Sequence, residues 1–124
     1  MPAPMMVAIE IVDPGKAGFL RATERSIPQP AADEILIQVA AAGINRPDIL
    51  QRRGLYPPPV GVSDLPGLEV AGIVAATGEA VTRFRPGDAV CALLAGGGYA
   101  AYAVAPEGQC LPVRPQPPCQ AQRK

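Results

Sequence analysis

Three polar side chains gathered around one short segment are the first candidates for chemistry. In AGINRPDILQRRGLYPPP, Asn45 stands where a helix begins, Asp48 falls in its first turn, and Tyr56 lies in the loop that leaves it. The segment reads as a short helix because Asn45 can cap its first turn. Pro47 sits where a missing N–H costs nothing. Gly54 can take the left-handed conformation that stops a helix. Pro57, Pro58 and Pro59 then force an extended path. The cluster offers an amide, a carboxylate and a phenol. A phenol so placed can donate to an oxygen on which negative charge develops. On spacing alone, the same three residues also read as a capping asparagine, a carboxylate favoured by the helix dipole and a loop tyrosine.

The residue types that are missing narrow the chemistry further. The chain contains no histidine. Its three cysteines, Cys91, Cys110 and Cys119, are not in metal-ligand spacing. Imidazole and thiolate are the usual ligands of zinc, so neither structural nor catalytic zinc is expected. Gly96-Gly97-Gly98 invites a phosphate-loop reading, but no helix follows to offer its N-terminus to an anion. A β-turn at the most flexible point of the chain is expected there instead. No strand–G-x-G-x-x-G–helix unit occurs. Glu69 falls in an apolar strand and calls for a partner such as Arg46. Arg52 and Arg53 read as a solvated helix face, and Cys91 as a small core residue.

The elements that must position these groups are mostly strands. Met5 to Val12, Gly18 to Ile27, Glu34 to Ala42, Leu68 to Thr77, Asp88 to Leu94, Tyr99 to Ala105 and Cys110 to Val113 are predicted as strands. The clearest is Glu34 to Ala42, where Ile35, Ile37, Val39 and Ala41 alternate with Leu36, Gln38 and Ala40. Gly72 inside a strand suggests a bulge or a close backbone approach. Arg85-Pro86-Gly87-Asp88 carries the signature of a type II turn. Short strands punctuated by glycine and proline, with one or two short helices, predict a mainly β, small barrel-like domain.

Composition removes several function classes. Eleven basic and eleven acidic side chains balance, so no nucleic-acid partner is expected. No run reaches the length of a membrane-spanning helix, and the N-terminus lacks the basic region of a signal peptide. Cysteine usage fits a reduced, cytoplasmic compartment.

Three stretches together resemble a known family. They are NRPDILQRRGLYPPP, PGLEVAGIVAATGEAVTRFRPGDAV and ALLAGGGYAAYAVAPEGQCLPV. The chain is similar, from about Met6 to Val113, to the front domain of zinc-free NADPH:quinone oxidoreductases. Within the medium-chain dehydrogenase/reductase superfamily it looks most like the p53-inducible branch. The resemblance implies a GroES-like, partly open β-barrel over residues 1–113, with the Rossmann domain absent from this chain. It implies NADPH as cofactor, held mostly by that missing domain, and a quinone or related electrophilic small molecule as substrate. It implies that Asn45 and Tyr56 contact the nicotinamide and the quinone, while Asp48 stays open between a catalytic and a structural role. Cysteine near Asn45 and histidine near Leu68 hold zinc in other branches, and this chain has neither.

Arg114 to Lys124, RPQPPCQAQRK, departs from the family and reads as a disordered tail. The expectation is a truncated or frame-shifted product that is inactive alone. Alternatives are a zinc-free enoyl or alkenal reductase fragment, and a non-catalytic GroES-like interaction module. An uncovered apolar cleft face makes a homo-oligomer possible.

Overall fold

The structure is a computed structural model that describes residues 4–12, 19–55 and 63–113. Strands β1 (Met5–Val12) and β2 (Phe19–Ser26) form an antiparallel hairpin. Strands β3 (Glu34–Ala42), β4 (Glu69–Thr77), β5 (Ala89–Leu93), β6 (Tyr102–Pro106) and β7 (Cys110–Pro112) form an antiparallel sheet in the order β6-β3-β4-β5-β7. Helix α1 (Arg46–Arg52) lies between β3 and β4, and a single 3-10 turn (Glu107–Gln109) precedes β7.

The alternation seen in the sequence sets the core. Ile35 and Ile37 of β3 are fully buried, with Val70 and Val74 of β4, Val90 of β5, Ala105 of β6 and Cys110 of β7, and Phe84 closes the cluster from a loop. Burying each of the Ile, Val and Phe side chains stabilises the fold by about 1.5–3 kcal/mol. The other face of β3 is only partly covered: Leu36 is buried but Gln38 and Ala40 are exposed.

The sheet bends because its β3–β4 register slips twice, between Leu36 and Ile37 and between Val39 and Ala41. Irregularities of this kind sharpen the local twist. Gly72 lies at the second slip, where an added Cβ would come within 2.1 Å of the Gln38 carbonyl oxygen. The close backbone approach expected of this glycine is therefore present. The hairpin closes the open side of the curl. Ile9 N–H donates to Tyr99 O at 2.7 Å, Ala101 N–H donates to Val7 O at 3.0 Å, and Met6 and Ala8 are buried beneath. The result is the curled half-barrel expected of the sequence.

Three expectations change. The strand predicted from Tyr99 begins at Tyr102, because the Tyr99 N–H turns aside to Pro66 O at 3.0 Å. Gly96 to Gly98 form a pinned loop. Gly97 N–H donates to Leu65 O at 2.9 Å and Gly98 N–H to Gly67 O at 3.0 Å. Cys91 is half-buried on the outer side of β5, and Cys110 takes the core position. Burial pushes the Cys110 thiol pKa up, so it behaves as a small apolar residue. The turn at Arg85–Asp88 forms as expected, with Gly87 at φ 99° and Asp88 N–H on Arg85 O at 3.1 Å.

A surface ion network ties the hairpin to the loop after α1. Arg25 pairs with Glu10 at 3.1 Å and with Asp64 at 2.9 Å, and Arg21 also reaches Glu10. Hydrogen bonds from Arg21 and then Arg25 hold the Glu10 carboxyl below its ordinary value of 4.5, and Arg25 holds Asp64 below 3.8. A depressed folded value means the unfolded chain binds protons first as acid is added. The network's contribution is therefore complete above these ordinary values and is lost as pH falls through the folded ones. Thermal melts from neutral to acidic pH should show Tm falling once pH drops below about 4.5. Arg25→Ala should flatten that decline. An unchanged acid limb in the variant would remove the network from the account.

Candidate functional site

Helix α1 is stopped and started by its own sequence. Asn45, at the N-cap with extended backbone, and Asp48, at the third helical position, occupy the two places of a capping box. Asp48 Oδ2 accepts the Asn45 N–H at 2.9 Å. At the other end Gly54 takes φ 77°, its N–H donates to Gln51 O, and Leu55 N–H reaches back to Leu50 O at 2.8 Å. This is a Schellman closure, and it needs a residue that tolerates the left-handed region. A helix of seven residues gains little from propensity, so its side chains must hold it. Gln51 is buried and donates to Asp64 O at 2.9 Å.

Asp48 is the centre of the site. It is only 6% exposed. Besides the Asn45 N–H, its carboxylate accepts the Tyr99 O–H at 2.9 Å and the Gly67 N–H at 3.3 Å. One carboxylate thus joins the start of α1, the turn before β4 and the glycine loop before β6. Burial, then the adjoining Asp48 carboxylate, pushes the Tyr99 phenol pKa up to about 12. Its proton is committed to Asp48 at neutral pH, so Tyr99 is a poor acid for a bound substrate.

Asn45 is half-buried and turns its amide toward β4, where Nδ2 donates to Glu69 Oε1 at 3.3 Å. The expected Glu69–Arg46 pairing is replaced by this bond. Glu69 sits at the exposed start of its strand, where a neutral amide is enough to meet a solvated carboxylate. Beside the cluster lies an apolar hollow of about 190 Å³, walled by Leu20, Ile44, Ile49 and Pro66 with Asp48 and Tyr99. Arg52 also lines it, whereas Arg53 is exposed at the helix C-cap. Ile44 is 80% exposed beside Asn45.

Asn45 and Asp48 are therefore brought together as the sequence suggested. Tyr56 lies outside the described residues, as does the segment 114–124. Sequence reasoning missed Tyr99 and Gln51. Tyr99 follows three glycines, which is a signal of close backbone packing but not of its partner. Among the described residues no group of three histidine, cysteine, aspartate or glutamate side chains could hold a metal ion.

This arrangement has relatives. Residues 31–115 match the alcohol dehydrogenase GroES-like domain. The chain belongs to that family. A chloroplastic quinone-oxidoreductase homolog of Spinacia oleracea is 40% identical over 98 residues, covering 75% of this chain and 30% of that protein. Among solved structures, the quinone oxidoreductase of Pseudomonas syringae superimposes with a TM-score of 0.74 at 31% identity, covering 88% of this chain and 34% of its own. A mycobacterial protein complexed with NADPH gives a TM-score of 0.74 at 34% identity, covering 88% and 32%. The chain thus spans about a third of the length of these relatives. The family resemblance of the GroES-like domain to quinone oxidoreductases is borne out. Among the described residues no helix is long and apolar enough to cross a membrane.

Proposed function

We propose that this chain forms the substrate-side wall of an NADPH-dependent quinone reductase, and that it is inactive without a nucleotide-binding domain. NADPH, when bound, supplies a hydride. What the residues of this chain contribute is orientation, exclusion of water and hydrogen bonds. Asn45 would meet the nicotinamide carboxamide, since its side chain carries both a donor and an acceptor at the end of β3. The apolar hollow around Ile44 and Ile49 would exclude water from a planar ligand. Asp48 would hold Asn45 and Tyr99 in place and take no proton from the substrate.

The observation that carries this reading is the Tyr99–Asp48 hydrogen bond beside the apolar hollow. Tyr99 spends its proton on a buried carboxylate, so of the three tyrosines in the sequence we assign Tyr56, the one that the family resemblance points to, as the phenol that donates to a quinone oxygen. The similarity to proteins named quinone oxidoreductase, and to one solved with NADPH, supports the same conclusion. Residues 1–113 would act as the domain, with 114–124 outside it.

The test is a fusion of this chain to the nucleotide-binding domain of the Pseudomonas syringae relative. A donor aimed at developing charge is worth about 1–3 kcal/mol. Tyr56→Phe in the fusion should therefore lower kcat for quinones by roughly 5- to 150-fold, with the fold unchanged by circular dichroism. Parental turnover in Tyr56→Phe would make Tyr56 a spectator.

A further inference from the structure

Glu69 has no part in the reading so far, yet its carboxylate lies between Gly43 and the Asn45 amide. The Gly43 N–H donates to the Glu69 carbonyl at 3.0 Å and locks the two backbones together. A Cβ on Gly43 would lie 2.2 Å from Glu69 Oε1. Only a glycine at position 43 leaves the carboxylate its place. From there Oε1 accepts a hydrogen from Asn45 Nδ2.

An ionised carboxylate accepts and never donates, so it can face only the NH₂ end of an amide. The Asn45 amide is thereby given one orientation, with its nitrogen toward β4. Glu69 takes one of the two Nδ2 hydrogens. The second is a donor for a carbonyl oxygen.

We propose that Glu69 is a positioning residue that sets the Asn45 amide with its NH₂ as the donating end, matched to the carbonyl oxygen of a primary carboxamide. This rests on the reading above that Asn45 meets the nicotinamide. Glu69 touches neither cofactor nor substrate and acts through Asn45 alone.

Asn45 is the one asparagine in the sequence, so labelling with ¹⁵N-asparagine gives a single side-chain amide pair. In the 124-residue chain that pair should show two well-separated protons and a heteronuclear NOE close to that of the backbone. Glu69→Ala should collapse the separation and lower the NOE. Gly43→Ala, which places a methyl group on the carboxylate's position, should do the same with Glu69 still present. Backbone spectra away from both positions report whether each variant is folded. Reduced nicotinamide mononucleotide should shift the Asn45 pair, with an apparent Kd roughly tenfold weaker in Glu69→Ala. An Asn45 amide that keeps its shifts and NOE in folded Glu69→Ala overturns the proposal, whatever the nucleotide does. An amide that responds in both variants while the nucleotide shifts nothing in any of them upholds the role of Glu69 and removes the nicotinamide reading of Asn45.

Discussion

Asp48→Ala is expected to cost about 3 kcal/mol or more of folding stability, measured as a fall in ΔG of unfolding in denaturant. The reason is the number of donors it would strand. The Asn45 N–H, the Gly67 N–H and the Tyr99 O–H all end on this carboxylate. A buried donor left without a partner costs about 1–3 kcal/mol, and water reaching the cavity would recover part of that. Asp48→Asn keeps one accepting oxygen and should cost less, about 1–2 kcal/mol. Tyr99→Phe removes one of the three bonds, and its cost should not add to that of Asp48→Ala, because both delete the same interaction. Strict additivity in the double variant would mean that the bond between them contributes nothing. Wild-type stability in Asp48→Ala would remove Asp48 from its central place.

Gly67→Ala is expected to be comparably damaging, again by about 3 kcal/mol. Gly67 adopts φ 107°, where a side chain is strained by about 1–3 kcal/mol. Its added Cβ would also lie 2.6 Å from the Tyr99 backbone nitrogen and 2.7 Å from Gly98 Cα. Neither neighbour is a flexible side-chain tip, so the glycine loop itself would have to move. That movement pulls Tyr99 from Asp48 and weakens the Gly98 N–H bond to Gly67 O. Denaturant unfolding should show the loss, and the Tyr99 phenol should titrate at lower pH in the variant as it leaves its buried partner. A stable Gly67→Ala with an unchanged Tyr99 titration would show that the loop is softer than its contacts imply.

Much of this fold is legible because its signals are local. The alternation of Ile35, Ile37 and Val39, the Asn45-Arg46-Pro47-Asp48 helix start and the Arg85–Asp88 turn each depend on a few neighbouring residues. All three formed where expected. The partners of the site residues are another matter. Asp48 and Tyr99 are 51 positions apart, and Asn45 and Glu69 are 24 apart. No periodicity relates them, because the sheet order and the register slips decide which ends meet. The glycine run misled for a related reason. Glycines permit mobility in a free loop, but here they permit close packing, and only the presence of the Leu65–Gly67 backbone opposite decides between the two. Cys110 and not Cys91 lies in the core because strand pairing sets which face of the sheet each one occupies.

The two outer strands of the sheet bear on how copies of this chain could meet. β6 has five residues and ends in Pro106; β7 has three and ends in Pro112. A proline has no N–H to give to a neighbouring strand, and short outer strands offer few free backbone groups. A second copy would therefore find a poor template for extending the sheet from either end. Cross-chain β-pairing onto either end of the five-stranded sheet is disfavoured by construction, and so is the fibrillar growth that such pairing would seed there. At this sheet a second copy would have to meet side-chain faces instead, where Leu93 and Leu111 stand exposed on β5 and β7.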